Sequence, residues 1–315
     1  MGDKRATIIG GVAISFAAIL WGLDGVVLTP QLHGLDINIV VLIFHFLPFI
    51  LMNTFLFKEY KKLKTFSKSD YIFLGLLSLF GGAIGTMAIV KALFLVEFQK
   101  LTIVVLLQKL QPIFGIFLAH FILKEKTGKH YLLWAVIAIT AGYFLTFGNN
   151  LPNFKTGSNT TYAALFALLA AFSFGSSTVF GKKVLQNHNF HTVTFFRYGF
   201  TSIIMLVIVI ASGNILLIQN ISPTHWIIFF IIAFTTGSGA IFLYYYGLMK
   251  VKAIVAIICE LFFPISAIFF DYLINDYQLS SLQWISAIIM LSAIIQLNRK
   301  GTPRFMTWKR DKIIR

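Results

Sequence analysis

Residues 253–274 read Ala-Ile-Val-Ala-Ile-Ile-Cys-Glu-Leu-Phe-Phe-Pro-Ile-Ser-Ala-Ile-Phe-Phe-Asp-Tyr-Leu-Ile, an oily run broken only by Glu260, Pro264, Ser266 and Asp271. As a helix rising about 1.5 Å per residue, such a run crosses the roughly 30 Å hydrocarbon core of a bilayer. Nine more apolar runs lie at approximately 8–28, 38–57, 71–92, 101–123, 130–147, 161–181, 191–212, 226–248 and 282–298. Ten spans are therefore expected. Each must be helical, because a lipid-exposed segment has no other way to satisfy its own N–H and C=O groups, and barrel strands would be shorter and alternate in polarity.

Composition agrees with this reading. Hydrophobic residues make up 58% of the 315-residue chain and charged residues 12%, against about 45–50% and about 25% in soluble domains. This excludes an ordinary soluble globule and leaves almost no room for a soluble catalytic domain. The formal net charge of +15 would suit a nucleic-acid binder only as a basic face on a water-soluble module, whereas here the Lys and Arg residues lie between oily segments. The single cysteine, Cys259, rules out an intrachain disulfide. The first run follows Lys4 and Arg5 as a signal peptide would, but it is longer than a signal core and nine more runs follow, so an uncleaved helix is expected.

Orientation follows from the basic residues alone. One side carries Lys4 and Arg5, the cluster Lys58 to Lys68, Lys124, Lys126 and Lys129, then Lys182, Lys183, Lys250, Lys252 and the basic tail; the other carries Lys91, Lys100 and Lys155. By the positive-inside rule both termini are cytoplasmic, which requires an even number of spans.

The chain also repeats itself. Ala17 to Gly22 meets Ala170 to Gly175 at an offset of 153, and Phe44-His45-Phe46 meets Phe196-Arg197-Tyr198 at 152. Gln108-Lys109-Leu110-Gln111-Pro112 meets Glu260-Leu261-Phe262-Phe263-Pro264 at 152, and Ala92-Leu93 meets Gly247-Leu248 at 155. Each half then holds five spans. Five is odd, so the second half must lie upside down relative to the first. The expected architecture is an all-α membrane protein of ten transmembrane helices in two inverted five-helix repeats, 1–150 and 158–300, with a basic cytoplasmic tail at 301–315. Inverted repeats around a midplane site recur in secondary transporters.

These residues carry a family resemblance. Trp21-Gly22 late in the first span, and Leu107-Gln108-Lys109-Leu110-Gln111-Pro112 followed by Leu123-Lys124-Glu125-Lys126, resemble the EamA-type members of the drug/metabolite transporter superfamily over nearly the whole chain. The second copy departs from the Lys-Glu exit, reading Asn275-Asp276-Tyr277. The resemblance implies export or uptake of a small metabolite or amino acid across the cytoplasmic (inner) membrane, with a proton or counter-substrate as coupling partner. It does not specify the substrate.

Ionisable groups inside spans cost about 2.5–3.5 kcal/mol each on insertion scales, so those present are expected to face a cavity or a partner. Glu260 is the leading substrate-binding candidate, since Pro264 cannot donate to the carbonyl of residue 260 and so leaves an acid and a freed carbonyl on one turn. Pro112 does the same beside Gln108 and Lys109 in the other half, and both prolines are expected to kink their helices. Arg197 is expected either to pair with Glu260 or to snorkel to cytoplasmic headgroups. His45, its counterpart, is expected toward the opposite end of the pathway, as a packing residue or a proton-coupling group. Asp24 and Asp271 are expected to line the pathway or to sit solvated at the interface. Trp21, Tyr244 and Tyr245 offer flat surfaces to an organic substrate. No metal-ligand set and no cofactor motif appears, and no nucleotide-binding domain is encoded.

The function expected is a secondary transporter of a small organic solute, an amino acid or similar, acting as an exporter or exchanger by alternating access. The competing readings are a membrane receptor or scaffold and an intramembrane lipid-modifying enzyme. The latter would need a clustered nucleophile and base or a metal set, which the sequence lacks.

Overall fold

The computed structural model describes residues 2–97, 104, 107–108, 110–126, 128–149, 158–274 and 278–300. Lys109, Lys100, Lys155, the Asn275-Asp276-Tyr277 segment and the tail 301–315 lie outside them. Among the described residues every regular element is helical.

Helix α1 (Gly2–Leu23) runs on through a π turn, Asp24–Leu28, and a 3₁₀ turn, Thr29–Leu32. It is followed by α2 (Ile37–Leu56), α3 (Lys68–Leu76) and α4 (Gly85–Leu95), the last two joined by a π segment, Leu77–Ile84. Then come α5 (Gln111–Ile122), α6 (Lys129–Phe147), α7 (Ser158–Leu185) and α8 (Phe190–Ala211). Helices α9 (Pro223–Ile232) and α10 (Ser238–Lys250) join through another π segment, Ala233–Gly237. The chain closes with α11 (Ala253–Cys259), α12 (Phe262–Ile274) and α13 (Ser281–Lys300).

Seven continuous helical stretches are long and apolar enough to cross a membrane, and three shorter apolar helices, Gln111–Ile122, Leu132–Leu145 and Ser281–Gln296, fall where the other expected spans lie. The outer surface is oily. Val12, Phe117, Val207 and Ile288 are each more than 60% exposed, which only a non-aqueous solvent tolerates over so many helices.

Helix starts are fixed by side chains in a repeating order. Asp36 accepts from the Ile39 N–H at the start of α2, and Asn189, 153 residues later, accepts from the His191 N–H at the start of α8. Ser67 and Asp70 form a capping box on α3, and Ser222 and His225 form one on α9 at an offset of 155. Packing repeats too. Helix α1 lies against α10 and α12, and α7 lies against α4 and α5, while α2 pairs with α8 and α6 with α13.

Two close backbone approaches also correspond between the halves. A Cβ built on Gly22 would meet the Ala267 nitrogen at 2.7 Å and the Phe263 carbonyl oxygen at 3.0 Å, and one built on Gly175 would meet the Gly115 nitrogen at 3.0 Å and the Gln111 carbonyl oxygen at 2.7 Å. These are the same atoms at an offset of 152. Glycine is required at both crossings because bare backbone leaves no room for a side chain.

At the end of the bundle marked by the Lys clusters, polar bonds tie the two parts of the chain together. Glu125 accepts from the backbone N–H groups of Ala253 (2.9 Å) and Ile254 (3.1 Å), capping α11 from another helix's exit loop. Lys182 donates to the Leu248 and Met249 carbonyls, and Asp70 takes Asn187 at 2.9 Å and His188 at 3.2 Å. A dry cluster including Ile14, Leu77, Val184, Leu248 and Val255 fills the space behind these bonds. Glu125→Ala is expected to cost about 0.5–2 kcal/mol, the usual loss for a helix cap, read as a lower melting temperature of the detergent-solubilised protein.

Candidate functional site

A cavity of about 270 Å³ lies at the centre of the bundle, and it gathers residues that are far apart in sequence. Trp21, Asp24, His45, Gln108, Arg197, Tyr244, Tyr245 and Glu260 all line it. A smaller pocket, sharing Gln108, Gln111, Glu260 and Phe263 with it, is walled by Pro112 and Pro264 together. The two repeat-related proline segments therefore face each other across the floor of the site.

Glu260 is the most heavily bonded group there. One carboxylate oxygen accepts from the Tyr244 hydroxyl at 2.7 Å and from Thr178 at 3.0 Å, and the other accepts from the Gln111 side-chain amide. The Thr178 and Tyr244 oxygens also stand 2.7 Å apart, so four side chains from α7, α10, α5 and the α11–α12 break form one cluster around the carboxylate. Helix geometry makes room for it. The chain leaves helix at Glu260 and Leu261 and re-enters at Phe262, which turns the carboxylate out of the helix face and into the cavity. Trp21 stands against Tyr244 with ring centroids 5.4 Å apart, giving the network an aromatic wall.

Several expectations are corrected by this geometry. The carbonyl of Glu260, expected to be free, accepts from the Phe263 N–H at 3.0 Å in a tight turn. Pro264 sits in the first turn of α12 and Pro112 near the start of α5, so both stand at helix starts rather than in mid-helix kinks. Arg197 does not pair with Glu260: its guanidinium donates to the Gly81 carbonyl at 2.9 Å and lies 5.6 Å from the Tyr245 ring centre. Nor does it snorkel, being only 7% exposed. Its Nε atom is buried without a hydrogen-bond partner. His45 is not at the far end of the pathway but beside Arg197, with Tyr198 ring-to-ring at 5.4 Å and its Nδ1 2.9 Å from the Val41 carbonyl oxygen. Both residues sit eight or nine positions into their helices, about 12 Å along the axis, so antiparallel packing of α2 on α8 brings them level in the middle.

Of the two outer aspartates, only Asp24 lines the cavity. Its carboxylate accepts from Thr236 at 3.0 Å and from Thr29 at 3.1 Å, at the junction of the π turns that follow α1 and α9. Asp271 is half-buried and is not among the lining residues. The break at Glu260 and Leu261 resets the helix phase, so three turns of α12 do not carry Asp271 onto the face of Glu260. Thr178, Thr29 and Thr236, direct partners of the two acids, are not among the residues that sequence reasoning singles out. The signal for Thr178 was there, in the polar triplet Ser176-Ser177-Thr178 inside an apolar helix.

The sequence profile of the EamA-like transporter family matches residues 8–148 and again 161–299. A protein of Fusobacterium nucleatum subsp. nucleatum (strain ATCC 23726 / VPI 4351), the riboflavin transporter ImpX, is 50% identical over 293 residues, which is 93% of this chain and 98% of that one. A solved crystal structure of a protein superposes with a TM-score of 0.64 at 14% identity, covering 92% of this chain and 95% of the other, which is a likeness of fold.

Proposed function

Because the chain belongs to the EamA-like transporter family, we propose that this multi-pass membrane transporter carries riboflavin, by alternating access, across the cytoplasmic (inner) membrane. It moves a small metabolite and is not an enzyme. The observation that carries the flavin reading is the cavity itself, read beside the relative's name. A flavin is a flat tricyclic ring with an N–H between two carbonyls on one edge and a chain of hydroxyls on the other side. Trp21, Tyr244, Phe263 and Phe174 supply flat walls. Glu260 supplies an acceptor for the ring N–H, and the guanidinium of Arg197, which lines the cavity, a donor for a carbonyl. So many aromatic walls suit a heteroaromatic ring better than an amino acid.

In the proposed architecture ten spans form two inverted five-helix repeats, 1–150 and 158–300, with both termini and the 301–315 tail cytoplasmic. The family profile's two matches, the paired caps, the exchange of α1·α10 and α1·α12 for α7·α4 and α7·α5, and the twin Gly22 and Gly175 crossings all support it. On this topology the lining residues Thr29, Ile89, Leu93 and Ile232 extend outward from Glu260, while Glu125, Lys182 and Asp70 bond the cytoplasmic end shut. The conformation is then outward-facing. Rocking of the halves would break those bonds and open the inner face, with a proton or counter-substrate as coupling partner, in export or exchange.

Counterflow in proteoliposomes tests the reading. Labelled riboflavin is expected to accumulate in vesicles preloaded with cold riboflavin at least about tenfold faster than in protein-free vesicles, and amino acids are expected not to compete. Equal rates with and without protein would refute the substrate assignment.

A further inference from the structure

The cavity holds two carboxylates and, among its described lining residues, two basic side chains, Arg197 and His45. Both are committed on this reading: one terminal nitrogen of Arg197 is bonded to the Gly81 carbonyl, its guanidinium lies close to the rings of Tyr198 and Tyr245 and is the donor assigned above to a ring carbonyl, and His45 holds its Nδ1 2.9 Å from the Val41 carbonyl oxygen. Asp24 is held differently. Among the described residues its carboxylate is bonded to the hydroxyls of Thr29 and Thr236, and no Lys, Arg or His lies within 4 Å of it. It stands one turn beyond Trp21 on the same helix, toward Thr29 and away from the Glu260 network.

We propose that Asp24 is a specificity-determining residue that selects the unphosphorylated vitamin and rejects flavins carrying a terminal phosphate. The proposal rests on the flavin reading above. With the ring seated on Trp21 and its N–H edge at Glu260, the polyol chain extends past Asp24, Thr29 and Thr236, a carboxylate and two hydroxyls that match a row of alcohols. A phosphate on the end of that chain carries about −1.5 to −2 charge at pH 7 and would be set beside a carboxylate that has no Lys, Arg or His among the described residues within 4 Å of it. Repulsion here costs the neutral vitamin nothing. The cargo is therefore a free alcohol, and the reaction that consumes it after uptake, or supplies it for export, is respectively transfer of a phosphoryl group to that alcohol or its hydrolytic removal.

The test is competition between riboflavin and flavin mononucleotide, read as the ratio of their apparent affinities by quenching of flavin fluorescence on the purified full-length protein. The wild-type protein is expected to prefer riboflavin by at least about tenfold. Asp24→Asn is expected to shrink that ratio about tenfold, and Asp24→Glu to keep it, a pattern that a general loss of packing would not produce. Asp24→Ser provides a second neutral variant should Asp24→Asn fail to fold. A wild-type protein that binds the mononucleotide as well as riboflavin, or a ratio unchanged in the neutral variants, overturns the proposal. Failure of the wild-type protein to bind riboflavin at all overturns the flavin reading and the proposal with it, and is told apart because neither flavin then quenches.

Discussion

Glu260→Gln is expected to reduce riboflavin counterflow by at least about tenfold while leaving a folded, monodisperse protein. The substitution keeps the size of the side chain and removes one acceptor. In the native site three donors converge on the carboxylate, from Tyr244, Thr178 and Gln111. An amide turns one of its two oxygens into an NH₂ group, so at least one of those donors meets another donor. A buried polar group left unmatched costs about 1–3 kcal/mol, and each 1.4 kcal/mol is tenfold in an equilibrium constant. The same change removes the acceptor proposed for the ring N–H. Flux and melting temperature measured on one preparation separate the two effects, and full flux with the glutamine would remove Glu260 from the transport mechanism.

Gly175→Val is expected to be the more damaging change to the fold. The new Cβ would stand 2.7 Å from the Gln111 carbonyl oxygen and 3.0 Å from the Gly115 nitrogen. Both are backbone atoms, so no side chain can swing aside, and α7 must separate from α5 along the contact. Overpacking of this kind costs about 1–3 kcal/mol, occasionally more, which lowers Tm by several degrees in a protein of this size. It also moves Gln111 and Thr178 apart, and with them two of the three donors to Glu260. Gly75→Ala is the control, since a Cβ there meets nothing within 4 Å. Equal melting temperatures for the two variants would show that the crossing is looser than described.

Much of this was legible before any coordinates. Oily runs gave the helices because membrane segments must satisfy their backbones internally. Caps, π segments and glycine crossings recur at the same offsets of 152 to 155 as the sequence matches. Glu260 stood out because an acid in such a run needs a reason to be there. What sequence could not reveal was partnership. Whether Arg197 meets Glu260 or Gly81 depends on how α8 is rotated against its neighbours, and no periodicity in an all-apolar helix reports that rotation. The helix break at Glu260 was legible only in part. Pro264 announced a lost hydrogen bond, but the tight turn that takes up the vacant carbonyl, and the change of phase that leaves Asp271 off the cavity, follow from local backbone choices that a proline permits without specifying.

The position that corresponds to Glu260 in the other half is Gln108, an amide where its twin is an acid. On the inverted reading, the two orientations of the carrier would be mirror equivalents if the halves were identical, and would be equally populated at rest. Unmatched charges, Glu260 against Gln108 and Arg197 against His45, remove that degeneracy. The empty carrier then favours one face, and the measured half-saturation from either side is scaled by the fraction of molecules already turned that way. Differences of this kind set how fast and at what concentration the carrier works in each direction, and leave untouched the gradient at which net movement stops.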